Sequence, residues 1–177
     1  MGRLVRGVKI GPSPLWLKRR LFSVGIRPIN IVVDVTNYVL FHFGQPLHAF
    51  DYALIRGASI TVKQAGTCSV FTTLDGVERR LEPDDLLICD GEGPVALAGI
   101  MGGEESKISE KTTDVFLECA YFDPVGIRKT SKRLGLSTDS SYRFERGVDP
   151  NDGLRAALDT AAALICRYAG GTVDSDA

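Results

Sequence analysis

The chain has 177 residues, 44% apolar and 24% charged, with 21 basic against 22 acidic side chains and a formal net charge of −1. That balance excludes a disordered or fibrous polymer and gives no electrostatic support to a general nucleic-acid coat, so any RNA contact has to be local. No apolar run approaches the ~20 residues that cross a membrane, and the opening MGRLVRG lacks a signal-peptide core and has Arg6 where a myristoylation motif needs Ser or Thr; the expectation is a soluble, cytoplasmic chain with no membrane partner.

LVRGVKI at the start reads as a strand entered part-way, and the chain closes on a polar tail, as a fragment excised from a longer chain would. Ser13-Pro14 before LWLKRRLFSV, with Gly25 after it, predicts a helix with a hydroxyl N-cap, proline at the first helical position and glycine just past the end. Asn30 to Phe43 is two-sided. Its β-branched residues favour a strand, but its length, leading asparagine and closing Gly44 favour a helix, which is the expectation.

From Ser59 the pattern changes to short β-rich runs: SITVKQ, TCSVFTTL and VERRL, the last two joined by Asp75-Gly76, a strong hairpin signal. DLLICD, PVALAGIM and DVFLECAYF predict further strands, the last two apolar enough for burial on both faces. Asp123-Pro124 opens a helix bearing Arg128, Lys129, Lys132 and Arg133 and closed by Gly135. A final helix from near Asn151 places Leu154, Leu158, Ala161, Ile165 and Tyr168 on one stripe and stops at Gly170-Gly171.

Helices, then a block of strands, then helices define an α+β chain layered around a mostly antiparallel sheet. Residues 1–177 form either one region or two intimately fused lobes, with Gly57 or Gly66 as a candidate boundary. Cys68, Cys89, Cys119 and Cys166 are far apart with no CxxC pair, which fits reduced core thiols better than a disulfide framework or a zinc site.

Gly25 to Asp51 sets Arg27, Thr36, Asn37 and His48 among residues that will pack, and polar groups fixed on a packed scaffold make sites. The strings VVDVTNYV, GQPLHAFD, LDG, AGIMGG, LECAYFDP and TDSSYRFERGVDP follow in order between about Ser13 and Gly171. Together they resemble the B3/B4 editing region of the β subunit of bacterial phenylalanyl-tRNA synthetase. No segment resembles that enzyme's catalytic core or anticodon-binding domain, and AGIMGG lacks the Lys-Ser/Thr of a phosphate loop.

The resemblance implies a B3/B4-like fold that hydrolyses tyrosine wrongly esterified to the phenylalanine tRNA. A pocket made for phenylalanine rejects an analogue with one added hydroxyl by only about a hundredfold, so a second site has to select for that hydroxyl. The match carries over His48, Thr36 and Asn37 as the residues of the hydrolytic step. For binding it carries over Glu118 as reader of the tyrosine hydroxyl, Arg27 toward the terminal adenosine, Ala98 and Gly102 as small pocket walls, and Thr138 and Ser140 as pocket lining. Ser140 departs from the alanine common in relatives and narrows or polarises the pocket.

The implied partners are the tRNA 3′ end, tyrosine, the rest of the β chain and the catalytic α subunit. No cofactor or metal is expected in this domain; ATP and magnesium are expected only for the full synthetase.

Bland readings stand beside these. Glu118 turns to solvent or pairs with an arginine, His48 is a satisfied core histidine, Thr36 and Asn37 bond within their helix, and Arg27 makes a surface ion pair. RFERGVDP reads as ion-paired support for a turn, and the basic stripe from Arg128 to Arg133 as a solvated face or a tRNA-backbone contact. Two other functions remain open: a non-catalytic binding module of the synthetase, and a metal or thiol hydrolase, for which His42 and His48 without clustered carboxylates are poor material.

Overall fold

The computed structural model describes residues 1–174. Along the chain run β1 (Gly2–Arg6), α1 (Leu15–Ser23), α2 (Ile31–Phe43), β2 (Leu47–Asp51), β3 (Thr61–Gln64), β4 (Val70–Thr72) and β5 (Glu78–Arg80). They are followed by β6 (Leu86–Cys89), β7 (Pro94–Leu97), β8 (Met101–Gly102) and β9 (Asp114–Cys119). The described chain closes with α3 (Pro124–Leu134), α4 (Asp139–Phe144), α5 (Asp152–Ala169) and β10 (Thr172–Val173). The strands pair antiparallel, and the α+β expectation holds. The residues fall into two compact units, one of Met1–Ala53, Ile108–Ala120 and the chain from Asp149, the other of Leu54–Lys107 and Tyr121–Val148.

The first unit holds the sheet β10-β1-β9-β2. Its core joins Leu17 and Leu21 of α1, Val32, Val35 and Val39 of α2, and Leu158, Ala161 and Ile165 of α5 to Val115, Leu117 and Cys119 of β9. Burial on both faces was the expectation for DVFLECAYF. Instead β9 alternates, with Asp114, Phe116 and Glu118 half-buried on the other face, because only one face meets the helices. Tyr168 also leaves its expected stripe: it is 37% exposed, and its hydroxyl accepts a hydrogen bond from Trp16 Nε1 at 3.1 Å.

The helix expected from Asn30 forms because both its ends are satisfied. Asn30 Oδ1 accepts the Val32 and Val33 amides at 3.1 and 3.0 Å, and Gly44 closes it in the left-handed region at φ 73°. Ser13 does not cap α1. Pro14 holds the N-cap position, and the Ser13 hydroxyl donates instead to Asp34 Oδ2 at 2.5 Å. Asp34 is fully buried and also accepts the Ile29 amide at 2.7 Å, so one carboxylate ties the chain just before α1 to the chain just before α2. Asp34→Ala leaves both donors unpaired, and a loss of about 3 kcal/mol in urea-unfolding stability is expected; a change near zero would show that water replaces the carboxylate.

The second unit holds the sheet β3-β6-β7-β8 and the hairpin β4-β5. The hairpin turns at Asp75-Gly76 as expected, with Thr72 opposite Glu78. PVALAGIM is two strands rather than one. The chain turns at Gly99, where φ is +68° and a Cβ would stand 2.9 Å from Ile127 and 3.0 Å from Phe122 and Phe144, so only glycine fits.

Two of the four basic residues of α3 are committed within this unit: Lys129 pairs with Asp84 at 2.7 Å, and Arg133 pairs with Asp85 and with Glu82. Arg146 pairs with Glu145 in the RFERG turn, beside Gly147 at φ +88°. The short helix α4, unforeseen in the sequence, starts at a capping box in which Thr138 and Ser141 satisfy each other's amides.

Candidate functional site

Strand register builds the site. Glu118 on β9 stands opposite His48 on β2 and Gly2 on β1; one step along, Phe116 stands opposite Phe50 and Leu4. Since side chains alternate, these two rows share the sheet face turned away from Ala49, Leu117 and the helices. Side chains directly opposite in an antiparallel pair start from Cβ atoms about 5 Å apart, so Glu118 and His48 leave the same sheet face at adjacent positions.

The neighbouring row is apolar. Phe50 is fully buried with its ring 4.3 Å from the imidazole at 72°, edge to face, and Leu4 is buried as well. Gly2 leaves room beside Glu118, and a Cβ there would meet the Phe116 ring at 2.4 Å.

This surrounding sets the protonation states. Burial raises the Glu118 carboxyl to about 7, and burial lowers the His48 imidazole to about 4. Near neutral pH the imidazole is therefore uncharged, with one donor and one acceptor nitrogen, while the carboxyl lies close to its titration midpoint. A pair in that state can accept a hydrogen bond from a hydroxyl, donate one to it, or orient a water molecule.

Of the other residues singled out in the sequence, three lie in the same unit outside the row. Thr36 is buried on α2 and its hydroxyl donates to Val33 O at 2.8 Å within the helix. Asn37 follows it, half-buried, and Arg27 is exposed in the α1–α2 connection. The remaining four belong to the second unit. Ala98 is buried with its amide on Leu86 O at 3.0 Å, and Gly102 pairs with Ala96. Thr138 caps α4 and donates to Ile100 O at 2.9 Å, and Ser140 is half-buried in the first turn of that helix.

Sequence reasoning missed Gly2, Phe50 and Phe116. The signal was there in LHAFD and DVFLEC, where a period of two sets Phe50 beside His48 and Phe116 beside Glu118.

Among the described residues no group of three His, Cys, Asp or Glu side chains is arranged to hold a metal ion, and no helix is long and apolar enough to cross a membrane. The cysteines are free, and burial pushes the Cys119 thiol up to about 12, far from a reactive thiolate.

Fold and row together define an α+β domain whose antiparallel sheet presents a carboxyl and an uncharged imidazole side by side. A family model described as the B3/4 domain matches residues 1–170. The chain belongs to the B3/4 domain family.

The phenylalanine-tRNA ligase beta subunit of Geobacter metallireducens is 60% identical over 97% of this chain, which covers 21% of that protein. The corresponding subunit of Salinibacter ruber is 59% identical over 96% of the chain and 20% of its own length. The chain thus spans about a fifth of the length of such relatives. Among solved structures, an N-terminal fragment of the phenylalanyl-tRNA synthetase beta subunit from Pyrococcus horikoshii shares the fold, with a TM-score of 0.62 at 14% identity, covering 97% of this chain and 45% of that one.

Proposed function

We propose that this chain is the editing module of a phenylalanine-tRNA ligase β subunit and hydrolyses the ester of tyrosine mischarged on the phenylalanine tRNA. The observation that carries the reading is the in-register pair of Glu118 and His48 on one sheet face. Glu118 receives the phenol hydroxyl that distinguishes tyrosine from phenylalanine. A half-buried acid left without that partner makes phenylalanine the poorer ligand, and sites built to bond a substrate hydroxyl discriminate by roughly 10⁴ to 10⁵.

His48, uncharged, orients water or the ribose hydroxyl beside the ester. An aminoacyl ester is already labile, so placement supplies much of the rate. Asn37 and Thr36 help hold that water, and Arg27 meets the terminal adenosine. The rest of the β chain and an α subunit complete the enzyme in the cytoplasm and bring its ATP and magnesium chemistry.

The test is release of amino acid from preformed tyrosyl- and phenylalanyl-tRNA by the ligase containing this chain, with and without chelator. Faster release of tyrosine, insensitive to chelator, is expected; equal rates would overturn the reading. A second reading, a binding module without hydrolysis, is favoured by the Thr36 hydroxyl, whose proton is spent inside its own helix. Tyrosyl-tRNA bound but never cleaved would select it.

A further inference from the structure

Nothing polar among the described residues holds the imidazole in place. Among the described residues no hydrogen bond reaches either ring nitrogen of His48, whereas a histidine that works on substrate usually has one nitrogen anchored. The second side-chain torsion of histidine is broad, so an unanchored ring swings. The contact that limits it is aromatic.

We propose that Phe50 is the positioning residue of His48, and that Gly2 and Phe116 hold Phe50 in turn. The inference rests on the editing reading. The Phe50 ring stands edge to face with the imidazole at 4.3 Å and 72°, closer than most aromatic pairs, and is itself fully buried. Phe116 backs it at 6.5 Å with the rings tilted by 35°. Phe116 in turn reaches over residue 2, where its Cζ and Cε2 would lie 2.4 and 2.6 Å from any Cβ, so the row Leu4, Phe116, Phe50 closes up because residue 2 is glycine. The imidazole is thereby fixed by shape. An ester-cleaving site gains from this, since a misplacement of about 1 Å can cost a hundredfold in rate.

The experiment uses the whole ligase. Phe50→Leu keeps apolar volume but removes the ring edge; it is expected to lower kcat for tyrosyl-tRNA hydrolysis about tenfold with KM within about twofold, because substrate binding does not use Phe50. Phe50→Tyr keeps the ring and is expected to recover kcat to within about threefold. In a crystal structure of Phe50→Leu the imidazole should rotate or occupy two orientations.

An unchanged kcat, or an imidazole that stays in place, overturns the proposal. If Phe50→Leu does not fold, Gly2→Ala tests the same chain of contacts from its other end: it displaces Phe116, and a kcat unaltered in that variant overturns the proposal equally. A wild-type ligase without deacylation sinks the editing reading instead, and the imidazole orientation in Phe50→Leu still decides the positioning role.

Discussion

Glu118→Ala is expected to lower kcat/KM for tyrosyl-tRNA hydrolysis by about a hundredfold while leaving the slow hydrolysis of phenylalanyl-tRNA within about threefold. The selectivity therefore falls by about a hundredfold, from the tyrosyl side. The phenol loses a hydrogen bond to an ionisable group, worth about 1.5 to 3 kcal/mol, and gains a dry wall in its place. The phenylalanyl ester never made that bond and has nothing to lose.

Glu118→Gln separates the two forms of the acid. The amide imitates the protonated carboxyl as a donor and does not titrate, so its partial discrimination should stay flat with pH, while that of the wild type changes as Glu118 ionises at about 7. Single-turnover deacylation of both esters reads all of this. Equal losses on both would mean that Glu118 supports the fold and not the choice of substrate.

The second large effect is on stability, and it follows from the same two groups. The folded chain keeps a proton on Glu118 up to about 7, where an ordinary glutamate releases it near 4.5. Between those values the native state binds more protons than the unfolded one, so stability falls as pH rises, by about 3 kcal/mol in all. His48 runs the other way: its ordinary value is 6.5 and its folded value about 4, so the unfolded state holds the extra proton in that window and stability rises with pH by a similar amount.

In the wild-type chain the two slopes largely cancel between about pH 4.5 and 6.5. Glu118→Gln should unmask the rising limb and His48→Gln the falling one. Urea midpoints measured against pH should then diverge in opposite directions from the wild type. Parallel profiles for the three proteins would show that neither group is as shielded from water as its place on the sheet implies.

How much of this could be read from the residues depends on how local each signal is. The ends of α2 and α3 were legible because Asn30 and Asp123 cap with their own side chains and Gly44 and Gly135 turn left-handed at the close. Those interactions span four residues. Ser13 misled because its hydroxyl is taken by Asp34, a residue of the next helix, which no local pattern announces. The break at Gly99 is imposed by Phe122, just before α3, by Ile127 of α3 and by Phe144 of α4, side chains that follow more than twenty residues later in the chain.

The site divides in the same way. His48 and Glu118 were each recognisable in their strings, HAFD and LECA, but their adjacency is a property of register between strands far apart in sequence. Register also decides that the half-buried Glu118 shares its face with Phe116 and Phe50 rather than with Leu117. The expectation of burial on both faces hid that distinction, and with it the aromatic row behind the imidazole.

The most direct measurement is a crystal structure of the ligase with tyrosine joined to the terminal adenosine through an amide, which cannot be hydrolysed. The expected result is the phenol oxygen within hydrogen-bonding distance of the Glu118 carboxyl, with His48 nearer the amide than any other ionisable side chain of this chain. A phenol bound away from Glu118, or a tyrosyl group seated nowhere on this sheet face, would contradict it.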